Sequence, residues 1–304
     1  MKSLSVLGIF VADLAFFGRI PKKGETVLGD KFVVGPGGKG SNQAVAAGKA
    51  GANVNFISKI GNDDYGKMAK KIYAETNVGT KNLIVSDEHS TGVAAILLNK
   101  ETGDNAISVI AGAAGALTID DINAAEDEIK NSSIFLTQLE APINTVVHAL
   151  KIAKTNNVTT ILNPAPAATL DKEIFPLIDY FTPNETEASF YANKDIANEE
   201  DAKKSSKDLL NLGIKNVVIT LGDKGVYFEN KDESHFVPSL DLGDKVIDTT
   251  GAGDAFNGAF ATALCEDKSI EEALKFANAF AGISTTRIGT ANSMPSREEI
   301  DKLL

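Results

Sequence analysis

Apolar and polar positions along the chain follow two periods, and the switches between them lay out the elements. A continuous apolar run at 3–10, closed by Asp13, predicts a buried first strand. A segment punctuated by glycine and proline follows at 17–26, and a two-residue alternation at 27–34 then predicts a short strand of antiparallel type. Gly35-Pro-Gly-Gly-Lys-Gly40 leads into an alanine-rich helix at 41–50, followed by a strand at 54–60, a helix at 63–75 and a strand near Leu83. Alternation returns at 91–98 and 106–110 around the turn Asn99-Lys-Glu-Thr-Gly-Asp104, the pattern of a hairpin.

From residue 118 the alternation of helix and strand is regular. Helices are expected at 118–130, 142–155, 199–212 and 254–265, and strands at 133–137, 158–162 and 216–220. That order predicts an α/β fold, a mostly parallel central sheet covered by helices on both faces in three layers. The two alternating stretches predict a small β-sheet inserted in two pieces, at about 13–36 and 90–111, within one unit spanning 1–304. Its outer face is expected to carry Val93, Ala95 and Leu97 with Ile107 and Val109. Such a face is a liability unless covered, which predicts a homodimer through this sheet. No internal repeat, low-complexity tract or linker interrupts the chain.

Composition narrows the partners. With 41 acidic against 30 basic residues the formal charge is −11, which disfavours nucleic acid and anionic membranes and favours small molecules. The single cysteine, Cys265, excludes an intrachain disulfide and agrees with a reducing, cytoplasmic setting. Asp13 interrupts the N-terminal apolar run before it can serve as a signal peptide, and no stretch reaches the ~18 apolar residues of a membrane span. The three histidines are scattered without metal-ligand spacing.

The candidate chemistry sits at Asp248-Thr-Thr-Gly-Ala-Gly-Asp254, where a glycine-rich turn enters an apolar helix. Gly251 and Gly253 let the backbone approach a ligand, and the free amides and dipole of the helix start attract a phosphate. A carboxylate there, Asp254, repels phosphate unless it accepts the proton of an attacking hydroxyl; a helix cap accounts for the same residue. In a parallel sheet ligands bind at the carboxyl ends of strands. Polar groups fall there: Gln138-Leu-Glu140, Asn163-Pro-Ala-Pro166, Thr182-Pro-Asn-Glu-Thr-Glu187 and Thr220-Leu-Gly-Asp-Lys-Gly225. Gly35-x-Gly37-x-x-Gly40 matches a dinucleotide fingerprint, but the acidic residue expected about 20 positions on is missing, and no Walker A motif is present. Lys39 and Asn42 are candidates to hold sugar hydroxyls, a tight turn with a solvated lysine being the plainer role. The two carboxylates and the amide of Asn184-Glu-Thr-Glu187 could orient Mg²⁺ through water, an acidic first turn complementing a helix dipole being the plainer role.

Taken together, Gly37-Gly-Lys-Gly-Ser-Asn-Gln43, the four strand-end motifs and the 248–254 turn resemble the ribokinase-like family of carbohydrate and nucleoside kinases over essentially the full length. The resemblance implies ATP-dependent phosphorylation of a sugar hydroxyl, on an α/β core whose small β lid often clasps a second subunit. It implies Asp254 as general base and the amides of Gly251, Ala252 and Gly253 as an anion hole. Asp13, Gly38, Lys39, Gly40, Asn42 and Glu140 would hold the sugar, and Asn184, Thr220, Gly222, Gly225, Gly253 and Asn278 the nucleotide. Glu187 would serve Mg²⁺ through water; Asp248, Thr250, Ser284, Arg287, Gly289 and Ser293 would hold K⁺. The sequence departs from the ribokinase pattern where Val11 replaces the asparagine of an Asn-x-Asp signature and Ala114 replaces another asparagine. Phe16 and Phe17 could pack against an apolar substituent on the substrate or belong to the core of the lid.

Overall fold

The computed structural model describes residues 2–99, 102 and 104–304. Met1 and three residues of the expected turn, Lys100, Glu101 and Gly103, lie outside the described residues. The first half of the chain runs β1 (Ser3–Leu7), β2 (Val11–Phe17), β3 (Lys31–Gly37), α1 (Lys39–Lys49), β4 (Asn53–Gly61), α2 (Asp64–Glu75), β5 (Val78–Gly79) and β6 (Leu83–Ser86). It continues through β7 (Thr91–Leu98), β8 (Asn105–Gly112), α3 (Ile119–Ala124), α4 (Glu126–Lys130), β9 (Ile134–Thr137) and α5 (Ile143–Thr155). Then come β10 (Thr159–Leu162), β11 (Tyr180–Phe181), α6 (Glu185–Ala192), α7 (Glu199–Leu210), β12 (Asn216–Thr220), β13 (Gly225–Asn230) and β14 (Ser234–Pro238). Three helices close the chain: α8 (Ala252–Cys265), α9 (Ile270–Ser284) and α10 (Arg297–Asp301).

Among the described residues ten strands form the main sheet in the order β14-β13-β12-β11-β10-β9-β1-β4-β5, with β6 also on β4. Its pairings are parallel except at one edge, where β13 and β14 run antiparallel. Side chains on successive strand residues leave opposite faces, and each face has its own core. Leu4, Val6, Phe56 and Leu136 join a cluster under α1, α8 and α9, whereas Leu7, Ile57 and Phe135 join a second under α3 to α7. Helix starts are set locally: Asp63 caps α2 by accepting from the Gly66 amide, and Thr118, Asn184, Ser269 and Ser296 form capping boxes at α3, α6, α9 and α10.

The second sheet is small and mixed, in the order β3-β2-β7-β8, with β2 parallel to β7 and the other pairs antiparallel. Here the structure corrects several expectations. The apolar run at 3–10 is not one strand: β1 ends at Leu7, and β2 starts at Val11 in the other sheet. The strand expected at 27–34 lies at Lys31–Gly37, because pairing with β2 decides its position. The helix expected at 118–130 is broken at Ala125, whose φ of −97° and ψ of 4° end α3. The expected outer face also changes. Ile96 pairs with Ile107 and Ala94 with Val109, so Ile107 and Val109 share the face of Ala94, Ile96 and Asp13. Val93, Ala95 and Leu97 lie on the opposite face with Leu14, Phe16 and Ile110. Hairpin register, which hydrophobicity alone does not set, is the cause.

Candidate active site

The carboxyl ends of β9, β10, β11 and β12, adjacent in the sheet, face the N-terminal ends of α1 and α8. Close contact between α1 and the end of β1 requires glycine on both sides. A Cβ on Gly40 would lie 2.5 Å from the Gly8 Cα, and one on Gly38, whose φ is 89°, would lie 2.6 Å from the Ile9 carbonyl oxygen. Gly40 is thus a packing residue at the helix start. A Cβ on Gly37 would overlap the Asp13 carboxyl at 2.2 Å, so the glycine gives that side chain its place.

Asp254 lies in the first turn of α8 and is 7 % exposed. Asn42 Nδ2 donates to its Oδ2 and Gln43 Nε2 to its Oδ1, each at 3.0 Å. Burial raises its pKa above the ordinary carboxylate range, against the pull of the Lys39 charge and the two amides. Lys39 in turn sits among acids. Burial opposes its charge, but Asp254, Glu140 and Glu187 together raise its pKa. The Lys39 amide donates to Glu140 Oε2 at 2.8 Å; burial pushes Glu140 up to about 7. Asp13, on β2, is raised to about 6, first by burial, with Asp254 adding to the effect; Thr290 Oγ1 donates to it at 3.4 Å and opposes the shift. One lysine and four carboxylates therefore feel one another's charge around Asp254. Asn42 Oδ1 and Gln138 Oε1 are buried near it without a hydrogen-bond donor, the latter wedged between Gly8 and Gly40.

Behind Asp254 runs a chain of amides. Gln138 Nε2 donates to Gln43 Oε1 at 2.6 Å, Gln43 Nε2 donates to Asn163 Oδ1 at 3.0 Å, and Asn163 Nδ2 donates to the Thr182 carbonyl at 2.8 Å. Thr182 Oγ1 then reaches Asn257 Oδ1 at 2.5 Å, and Asn257 Nδ2 donates to the Gly253 carbonyl at 2.8 Å. Sequence reasoning gave Gln43, Asn257 and Thr290 no role. A buried amide one turn after Asp254 in an otherwise apolar helix was a readable signal for Asn257, whereas Thr290 offered none.

On the other side of the α8 start lies a cavity of ≈ 800 Å³. Asn184, Thr220, Gly222, Gly225, Gly253 and Asn278 all line it, with Leu240, Leu242 and Phe256 supplying apolar walls. Gly251, at φ 81°, turns the chain into α8. Of the three expected anion-hole amides, that of Ala252 donates to the Thr249 carbonyl at 3.2 Å, so it serves an anion only by sharing or releasing that bond. Glu187 does not line the cavity. It is 9 % exposed, caps α6 by accepting from the Asn184 amide at 2.9 Å, and has its pKa raised by burial.

Asp248 joins the loops expected to hold the monovalent cation. Its Oδ1 accepts from the Thr250 amide and its Oδ2 from the Gly289 amide, both at 3.0 Å. The Ser284 and Ser293 hydroxyls donate to backbone carbonyls, and the Arg287 guanidinium pairs with Glu299. Phe16 packs against Phe32 with ring centres 4.9 Å apart and planes tilted by 34°, and Lys31 lies over Phe17. Both rings thus serve the small sheet.

The profile of the pfkB family of carbohydrate kinases matches residues 1–297. The chain is 42 % identical to a ribokinase of Haemophilus influenzae over 301 residues, covering 98 % of this chain and 97 % of that one. It is 34 % identical to a deoxyribokinase of Salmonella typhi over 303 residues, covering 99 % and 98 %. An Arabidopsis thaliana ribokinase structure, complexed with ribose and ATP, superimposes with a TM-score of 0.90 at 31 % identity, covering 99 % of this chain and 98 % of that one. The chain therefore belongs to the pfkB family of carbohydrate kinases and is an ATP-dependent sugar phosphotransferase.

Proposed function

We propose that the chain phosphorylates a pentose, with D-ribose converted to D-ribose 5-phosphate as the leading reaction. The observation that carries this reading is Asp254, a buried carboxylate gripped by two amides at a helix N-terminus, between a cluster of charged side chains and a nucleotide-sized cavity. In this reading Asp13, Lys39, Asn42 and Glu140 bind sugar hydroxyls. Asp254 takes the proton of the attacking hydroxyl while the helix-start amides at Gly251 to Gly253 receive charge that develops on the phosphoryl group.

The residues present fit the nucleotide and its ions. Glycine backbone at Gly222, Gly225 and Gly253 permits close approach of phosphates, and the apolar walls suit a base. Among the described residues no group of three or more His, Cys, Asp or Glu could hold a metal alone, so Mg²⁺ would complete its shell with phosphate oxygens and water, Glu187 orienting the water. Bound ATP and Mg²⁺ supply the phosphoryl group and neutralise its charge. The Asp248 carboxylate and the carbonyls at Thr250, Ser284, Arg287 and Gly289 are an oxygen donor set suited to K⁺. The far face of the small sheet, with Phe16 42 %, Phe32 54 % and Ile110 63 % exposed, is the surface we assign to a second subunit.

A second reading, 2-deoxyribose as the better substrate, is favoured by Val11 and Ala114, which lie buried in one apolar cluster. ADP release measured over pentoses, hexoses and nucleosides tests the class, and Asp254→Asn tests the base. That variant is expected to lose several orders of magnitude in kcat while still binding sugar, since a base acts mainly on the transition state. Retention of a tenth of kcat would remove Asp254 from the role.

A further inference from the structure

We propose that Gln43 is a positioning residue for this reaction: its amide locks the Asp254 carboxylate in the orientation from which it meets the acceptor hydroxyl. The inference rests on Asp254 being the base.

Three hydrogen bonds fix which way the Gln43 amide points. Both N–H groups of Nε2 are used, one on Asp254 Oδ1 and one on Asn163 Oδ1, each at 3.0 Å. Oε1 is used by the Gln138 amide at 2.6 Å. Turning the amide over would set Oε1 against two acceptor oxygens and Nε2 against a donor, losing all three bonds. Asn163 is itself fixed, because its Nδ2 donates to the Thr182 carbonyl at 2.8 Å. The orientation of Asp254 is thereby tied to the ends of β9, β10 and β11, three neighbouring strands of the rigid sheet.

Gln43 is fully buried, which separates its work from that of its neighbour. Asn42 also donates to Asp254, but its own Oδ1 is left without a hydrogen-bond donor, so its amide is fixed by fewer bonds. Both N–H groups and the Oε1 of Gln43 are engaged by protein. Charges already crowd Asp254: Lys39 on α1, Asp13 on β2, Glu140 beyond β9 and Glu187 on α6. A neutral donor holds the carboxylate without adding to that crowd, and it favours the ionised form that a base requires.

The test uses single-turnover ADP formation against pH, together with the sugar KM. Gln43→Met keeps the length of the side chain and removes the amide. Its rate is expected to fall roughly tenfold to a hundredfold with sugar KM little changed, because an interaction made to the base is expressed in the transition state. The acid limb of its kcat/KM profile is expected to move up by about one pH unit, the loss of a hydrogen bond to a charged group. An unmoved limb, or a rate within about threefold of wild type, overturns the proposal. Should the methionine variant fail to fold, isosteric Gln43→Glu carries the same test. Its second carboxyl beside Asp254 must move the limb upward, and a wild-type limb overturns the proposal. Asp254→Asn separates the two levels: if it is inactive while both Gln43 variants behave as wild type, only the role of Gln43 fails. If Asp254→Asn stays active, the base reading fails and the inference goes with it.

Discussion

Substrate choice at Val11 is the point where local physics makes the sharpest prediction. Val11 is 2 % exposed and lies on the same face of β2 as Asp13, two residues on, so it adjoins the face proposed to bind the sugar. Ala114 is fully buried in the same apolar cluster, which also holds Leu7, Ile9, Ala94 and Leu139. Neither side chain can donate or accept a hydrogen bond. A sugar hydroxyl that reached either side chain would lose water without replacement, at a cost of about 1–3 kcal/mol. That is a tenfold to hundredfold handicap, roughly, for ribose bound with a hydroxyl in that position. On the second reading, kcat/KM for 2-deoxyribose equals or exceeds that for ribose, and Val11→Asn shifts the ratio toward ribose by about tenfold. Adding Ala114→Asn should shift it further, since the two positions share one cluster. The apo variants should also melt lower than wild type, because each buries an amide among apolar neighbours. If ribose is already preferred by more than about tenfold and Val11→Asn leaves the ratio unchanged, the reasoning from these two residues is wrong.

Other tests address the remaining groups. Glu187→Ala is expected to raise the Mg²⁺ concentration for half-maximal rate, and an unchanged titration would leave Glu187 as a helix cap only. Replacing K⁺ with Na⁺ should slow the enzyme if, as proposed, a cation among the Asp248 and 284–293 oxygens steadies the helix-start amides; equal rates in both salts would contradict this. Burial raises Glu140 from the ordinary glutamate value to about 7, so the folded state holds that proton more tightly than the unfolded chain. Stability is therefore lost as pH rises through the interval between those values, and the penalty is complete above about 7. Glu140→Gln should accordingly melt a few degrees higher than wild type at pH ~8 and no higher at pH ~4; equal Tm at both would refute the assignment. Light scattering at micromolar concentration should give a dimer, and a monomer would leave Phe16, Phe32 and Ile110 without the proposed cover.

Local signals were enough for much of the architecture. The helix starting near 63 and the strand at 91–98 were legible because each has its own punctuation: Asp63 caps a helix, and a two-residue alternation marks a strand. The motif around Gly251 and Asp254 was legible because glycine most readily accepts the φ of 81° there and a carboxylate at a glycine-rich helix start is chemically conspicuous. That the first strand stops at Leu7 and a new one starts at Val11 in the other sheet was not legible. Hydrophobicity is the same on either side of Gly8, and only pairing with β3 and β7 tells β2 from β1. The two-residue strand β11 and the antiparallel pair β13 and β14 likewise depend on partners far away in the chain. Which face of the small sheet carries Ile107 was a matter of register, and a one-residue slip reverses it. The amide chain from Gln138 through Gln43 to Asp254 joins residues 95 and 211 positions apart. Sequence by itself determined which polar groups stand at strand ends and helix starts, since capping, turn geometry and periodicity act over a few residues. Only the tertiary structure decided which of them meet, because hydrogen-bond partners in a buried network are chosen by the packing of the strands and helices that carry them.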